Sequence, residues 1–160
     1  TDKTPELIEA CKVSLLDRGF GQKSGANGSG WGKANKVNLW ARAKDGNRAY
    51  SMLRELINKN IAPNLWDFHP PYQMDGNCGY TSGVCEMLCY SSDDIIELLP
   101  ALPEEWKNGS VKGLCARGGY SLDFTWENGE IKSLSVYSSC GKKTARIKTG
   151  DEIKTVKTVG

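Results

Sequence analysis

With 160 residues, 39% of them hydrophobic and 25% charged, the chain is long enough to bury a core and carries no compositional mark of disorder. A net charge of +2 is too small to argue for nucleic acid or a membrane as partner. No apolar run approaches membrane-spanning length, and the first residues lack a charged region followed by an apolar one, so neither an anchor nor a signal peptide is expected.

The order of patterns predicts helices first and strands after. Thr4-Pro5-Glu6 combines a hydroxyl, a proline and an early acid, a helix start. Leu7, Ile8, Cys11 and Leu15 then form a stripe, and Arg18-Gly19 ends it. Residues 19–32 contain six glycines among Ser, Asn and Gln and read as a mobile loop. Neither phosphate-binding glycine motif is matched there, and no apolar strand precedes it. Ala34, Val37, Trp40 and Ala41 mark a second helix over 33–44, and Ala49, Tyr50, Leu53, Leu56 and Ile57 a third. The Asp45-Gly46-Asn47 turn between them makes an antiparallel helical hairpin.

The segment Asn64-Leu65-Trp66-Asp67-Phe68-His69-Pro70-Pro71-Tyr72-Gln73-Met74-Asp75-Gly76-Asn77 holds the single histidine together with aromatics, amides and two aspartates. A rigid loop so dense in hydrogen-bonding groups is where a scaffold carries ligands. Thr81, Val84, Cys85 and Leu88 mark a fourth helix beginning near 75–77 and ending by Ser91-Ser92-Asp93. Asp75 therefore falls at a helix amino end, where unsatisfied amides favour negative charge. His69 reads either as a donor to a polyhydroxylated ligand or as a loop residue locked by its prolines. Gln73 and Asn77 either bind ligand hydroxyls or fix the loop backbone. Trp31 and Trp66 lie in loops and are candidates to stack on such a ligand, whereas Trp40, on a helical stripe, belongs to the core.

The six cysteines are even in number but scattered, which argues against a disulfide scaffold. Cys78, Cys85 and Cys89 share a helical face with Val84 and Leu88. They read as small buried hydrophobes, since zinc sites favour closer Cys pairs with further ligands; no metal and no cofactor is expected.

The run Ile95-Ile96-Glu97-Leu98-Leu99-Pro100 is a buried crossover into a second unit. From Gly109 the period becomes two. Val111, Gly113 and Cys115 alternate with Lys112 and Leu114, and Tyr120, Leu122, Phe124 and Trp126 with polar neighbours; Ile131, Leu134 and Val136 follow an Asn128-Gly129 hairpin turn. Trp106 and Trp126 belong to this half, where packing is the default. A last pair of strands, 143–149 and 152–158, flanks Thr149-Gly150-Asp151, and its lysines suit a protected edge. The class is α+β, helical hairpins followed by an antiparallel β-sheet or sandwich.

Taken in order, Gly30-Trp31, Lys36-Val37-Asn38-Leu39-Trp40-Ala41-Arg42, Asp45-Gly46, Asn64-Leu65, His69-Pro70-Pro71-Tyr72-Gln73-Met74-Asp75-Gly76-Asn77, Leu98-Leu99-Pro100-Ala101-Leu102-Pro103, Gly109-Ser110-Val111-Lys112-Gly113-Leu114 and Ala116-Arg117-Gly118-Gly119-Tyr120 resemble the C-terminal portion of glycoside hydrolase family 95. That family consists chiefly of α-L-fucosidases, with some α-L-galactosidases. The resemblance implies the end of an (α/α)6 barrel over residues 1–92 and a C-terminal β-domain over 93–160. It also implies inverting hydrolysis of terminal α-1,2-linked fucose, with Asp75 polarising asparagine amides that hold the attacking water. The family's general acid glutamate and those asparagines belong to an earlier part of the barrel, so the 160 residues are expected to be inactive alone, with a fucosylated glycan as partner of the full-length enzyme. The family's usual Gly-Trp-Ser-x-Ala-Trp-Lys becomes Gly30-Trp31-Gly32-Lys33-Ala34-Asn35-Lys36, which changes the local pocket wall. The alternative reading is a non-catalytic carbohydrate-binding module using the aromatic-rich sheet. Barrel helices without their neighbours would expose apolar faces, so self-association or local disorder around residues 19–32 is expected. The family is often secreted or surface-attached.

Overall fold

The computed structural model describes residues 4–19, 28–68, 72–92 and 94–159. Four helices come first: α1 (Glu6–Asp17), α2 (Gly30–Arg42), α3 (Gly46–Asn60) and α4 (Met74–Leu88). Seven strands follow: β1 (Cys89–Ser91), β2 (Ile96–Leu98), β3 (Gly109–Ala116), β4 (Tyr120–Glu127), β5 (Glu130–Ser138), β6 (Thr144–Thr149) and β7 (Glu152–Lys157).

α1 buries Leu15 and leaves Leu7 and Leu16 exposed. Its carboxy end is capped from a distance, the Lys36 ammonium donating to the carbonyls of Arg18 (3.1 Å) and Gly19 (2.5 Å), a cation against the negative end of the helix. α2 starts at Gly30, not at residue 33, with Ser29 extended at the cap position. The glycines that read as loop are the first turn of a helix, and Trp31 is helical with them. α2 ends as Lys44 takes a left-handed conformation (φ 58°). Asp45 then caps α3, its carboxylate accepting the Arg48 amide at 3.1 Å. The two helices run antiparallel. Lys33 at the start of α2 reaches Asn60 at the end of α3 (2.8 Å), and the Arg48 guanidinium at the start of α3 lies 5.0 Å over the Trp40 ring.

α4 runs parallel to α2 along a seam of small residues. A Cβ on Gly79 would stand 2.9 Å from Ala34 Cβ, and one on Gly83 2.5 Å from Val37 Cγ1, so the approach requires glycine at both positions. Burying Gly76, Gly83 and Met87 turns Cys78 and Cys85 outward; both are exposed, and only Cys89 of the expected trio is buried. The helix also stops sooner than expected, at Leu88, and the chain continues directly as β1.

The strands form two sheets. One has the order β1-β2-β6-β7, in which β2 pairs parallel to β6 and the other pairs are antiparallel; the second is the antiparallel meander β3-β4-β5. Their facing sides share one core, with Ile96, Leu98, Ala145 and Ile147 from the first sheet and Leu122, Phe124, Trp126 and Val136 from the second. The Asn128-Gly129 turn has φ of 51° and 77°, both positive as a two-residue hairpin of this hand requires. Two irregularities reset the alternation. Between Val111 and Leu114 the register of β3 shifts, with Gly113 at φ 69°. Val111, Leu114 and Ala116 therefore pack on the core while Cys115 is exposed, reversing the expected face beyond the bulge. A shift beside Trp126 lets Ile131 and Leu134, three residues apart, both face inward.

The halves are joined by charge and by aromatic packing. Buried Glu97 on β2 accepts from Lys44 (2.9 Å) and faces Lys148 on β6 (3.6 Å). Trp106 packs edge-on against Tyr50 of α3, ring centroids 5.5 Å apart, and its carbonyl accepts the Trp126 indole N–H at 2.7 Å.

Candidate functional site

The packing of α4 against α2 through glycines brings two polar stripes side by side. Trp31, Asn35, Asn38, Leu39 and Arg42 from α2, and Asp75, Gly79, Ser82 and Glu86 from α4, line a shallow groove of about 670 Å³. Both sets follow the spacing of one helical face. The middle of the groove is stitched by Asn38, whose amide donates to the Gly79 carbonyl (2.8 Å) and whose Oδ1 accepts from Ser82 (3.0 Å). Its far end is closed by a bidentate pair in which Arg42 donates to both carboxylate oxygens of Glu86 at 2.9 and 2.8 Å. That hydrogen bonding pushes Arg42 above its ordinary value, against the opposing effect of burial.

At the open end stand Asp75 and Trp31. Asp75 is exposed in the first turn of α4, and among the described residues no cation lies within ion-pair distance of it. Trp31 is 39% exposed in the first turn of α2, with an apolar face available for stacking. A carboxylate, amides and an indole along one groove suit a polyhydroxylated ligand better than a phosphate or a metal. No group of His, Cys, Asp and Glu among the described residues is arranged to hold a metal ion.

The remaining candidates are placed elsewhere. His69 lies outside the described residues, with Pro70 and Pro71. Asn77 is a clamp: its Oδ1 accepts the Asp67 amide and its Nδ2 donates to the Leu65 carbonyl, both at 2.7 Å. Leu65 is thereby held at φ 68°, a strained conformation for a branched side chain. Gln73 occupies the position before α4, donating its amide to the Asp67 carbonyl at 3.1 Å, and its side-chain oxygen is buried without a hydrogen-bond partner among the described residues. Trp66 is 55% exposed and leans on Tyr72, ring centroids 4.9 Å apart, but it does not line the groove.

Three charged residues that sequence reasoning passed over are buried behind the groove: Lys33, Lys36 and Asp67. Burial pushes the Lys33 ammonium below its ordinary value, while nearby Glu55 and Asp67 draw it back up. Burial likewise lowers Lys36, helped by Arg18 and Lys33. The α2 and α4 stripes could have been found by counting polar residues at helical spacing. The glycine content of residues 30–32 hid the first of them.

Over residues 1–88 the chain matches the glycosyl hydrolase family 95 catalytic domain, and over residues 90–159 the glycoside hydrolase family 95 C-terminal domain. It is 34% identical over 149 residues to alpha-L-fucosidase 2 of Arabidopsis thaliana, a match covering 86% of this chain and 17% of the relative. Probable alpha-fucosidase A of Aspergillus oryzae is 35% identical over 139 residues (76% of this chain, 19% of the relative). Its namesake in Aspergillus niger is 31% identical over 159 residues (89% and 20%). The chain thus spans about a fifth of the length of these curated relatives.

Proposed function

Since the chain belongs to glycoside hydrolase family 95, we propose that it is the C-terminal portion of an inverting α-L-fucosidase acting on terminal α-1,2-linked fucose, and that it does not turn over substrate alone. Inversion requires an acid on the leaving oxygen and an activated water on the opposite face of the sugar. In this reading the acid and the water-holding asparagines come from the remainder of the catalytic domain. Asp75 supplies the charge that polarises those amides, so that they accept the water's proton more readily as it attacks. Trp31 offers its ring to the sugar or to the next residue of the glycan.

The observation that carries the reading is the state of Asp75. It is exposed on a groove wall beside Trp31, with no cation pairing it among the described residues, so its charge is available to groups supplied from outside the chain. Most buried carboxylates of a scaffold are used up by partners, as Glu97 is by Lys44.

The test uses the parent enzyme and an aryl α-L-fucoside. Asp75→Asn is expected to lower kcat by about 10²–10⁴-fold, and proton NMR of the first product to show the β anomer. Hydrolysis by the isolated 160 residues, or an unchanged kcat in the variant, would refute the reading. The binding-module alternative cannot use Phe124 and Trp126, which are buried in the sandwich, and is left with Tyr120 and Tyr137 on the same sheet. Saturable binding of a fucosylated oligosaccharide that survives Trp31→Ala would restore it.

A further inference from the structure

Asp67 lies fully buried in the connection between α3 and α4. Its carboxylate fills the wedge where the first turns of α2 and α4 converge. Only glycine leaves room for it, because a Cβ built on either Gly30 or Gly76 would collide with the carboxylate oxygens. Its backbone is tied to the same place: the Asp67 amide donates to Asn77 Oδ1 (2.7 Å), and its carbonyl accepts the Gln73 amide (3.1 Å). Two helix amino ends present partial positive charge there, and Lys33, one turn into α2, adds a full one whose field reaches Asp67.

The residues that the carboxylate touches are immediate neighbours of the two groove residues. Gly30 precedes Trp31, and Gly76 follows Asp75. We propose that Asp67 is a positioning residue whose buried carboxylate sets the separation and register of the first turns of α2 and α4, and so holds Asp75 opposite Trp31. A neutral residue of the same shape would keep the volume filled but lose the attraction to both helix ends. A larger side chain on either glycine would wedge them apart.

The functional part rests on the reading of Asp75 above, and the experiment separates the two. In the 160-residue chain, Gly76→Ala is the sign test. At an ordinary helical site glycine to alanine stabilises, whereas here it is expected to lower Tm; a raised Tm would overturn the proposal. Asp67→Asn is expected to stay folded and to move the amide resonances of Gly30, Trp31, Asp75 and Gly76 while those of β3, β4 and β5 stay in place. Unmoved resonances at the helix starts would overturn it. In the parent enzyme the same variant is expected to lower kcat about 10²-fold, as a misplacement on the order of an ångström does, with KM unchanged. An unchanged kcat would overturn the positioning role. If the wild-type parent hydrolyses no α-L-fucoside, the fucosidase reading alone fails, and the resonances and Tm still decide whether Asp67 sets the helix starts.

Discussion

In the strand half, Leu122, Phe124 and Trp126 of one sheet meet Ile96, Leu98 and Ile147 of the other, and their outward neighbours are polar. In the helical half, Leu7, Val13 and Leu16 stand in solvent at 52%, 66% and 45% exposure, while Lys33, Lys36 and Asp67 are buried. One half is a sandwich whose two sheets bury a shared core between them, while Tyr137, Ile153 and Val159 stay exposed. The other invests its interior in placing helix ends, and leaves apolar and polar faces open. In the helical half the described residues leave apolar side chains of α1 and the polar groove between α2 and α4 open to solvent.

The largest effect should come from opening the sandwich core. Phe124→Ala, at a ring 1% exposed, is expected to cost about 3–5 kcal/mol, read by denaturant unfolding; a loss under about 1 kcal/mol would mean that the sandwich is not a tightly packed core. Next is the join between the halves. Glu97→Ala leaves Lys44 and Lys148 facing a buried gap and should cost about 3 kcal/mol, the low end for a buried pair because Lys44 keeps 30% exposure. Separate unfolding transitions for the two halves would be the clearest sign that this contact couples them.

A third effect is alkaline and belongs to Cys89, at the start of β1. Burial pushes its thiol from the ordinary 9.0 up to about 12, with Glu86 and Cys85 adding to the rise. The folded state therefore holds its proton after the unfolded chain has lost it. Stability from this group is complete below pH 9 and is lost as pH rises towards 12, by about 2 kcal/mol between pH 9 and about 10.5. Buried Lys33 and Lys36 act with the opposite sign. Their lowered values make the unfolded state the better proton binder below 10.5, so they raise stability as pH climbs. Cys89→Ala should flatten the alkaline loss, and Lys33→Met should deepen it; equal pH profiles for all three proteins would contradict the assignment. The smallest effect on stability belongs to the exposed apolar residues of α1. Leu7→Ser with Val13→Ser should change unfolding by no more than about 0.5 kcal/mol per site, yet reduce self-association in sedimentation runs. If the wild-type chain is monomeric at high concentration, the exposed apolar residues of α1 are not adhesive.

Much of the helical half was legible because a stripe such as Ala34, Val37, Trp40 and Ala41 has only one sensible period. The α2 boundary was misread because Gly30 and Gly32 look like loop residues until Asp67 is seen against Gly30; the reason for the glycine lies 37 positions away in the chain. The cysteine face of α4 went wrong for a related cause. Periodicity groups Cys78 with Cys85, but the seam that α2 accepts is the glycine one. In the strands the Asn128-Gly129 hairpin followed from two residues, whereas the bulge at Gly113 needed the partner strand to reveal it. At the candidate site, Asp75 and Trp31 stood out locally. That they share one groove with Asn38, Arg42 and Glu86 depends on how two helices pack.

Composition, period and turn chemistry determined the α+β class, the helical hairpin and the inward faces of β4. These are local properties, written in residues a few positions apart. The tertiary structure alone decided that β2 runs parallel to β6 and that Asp67 lies between two helix amino ends. Each of these depends on contacts between residues distant in the chain, where volume and charge must match across a space that no local pattern describes.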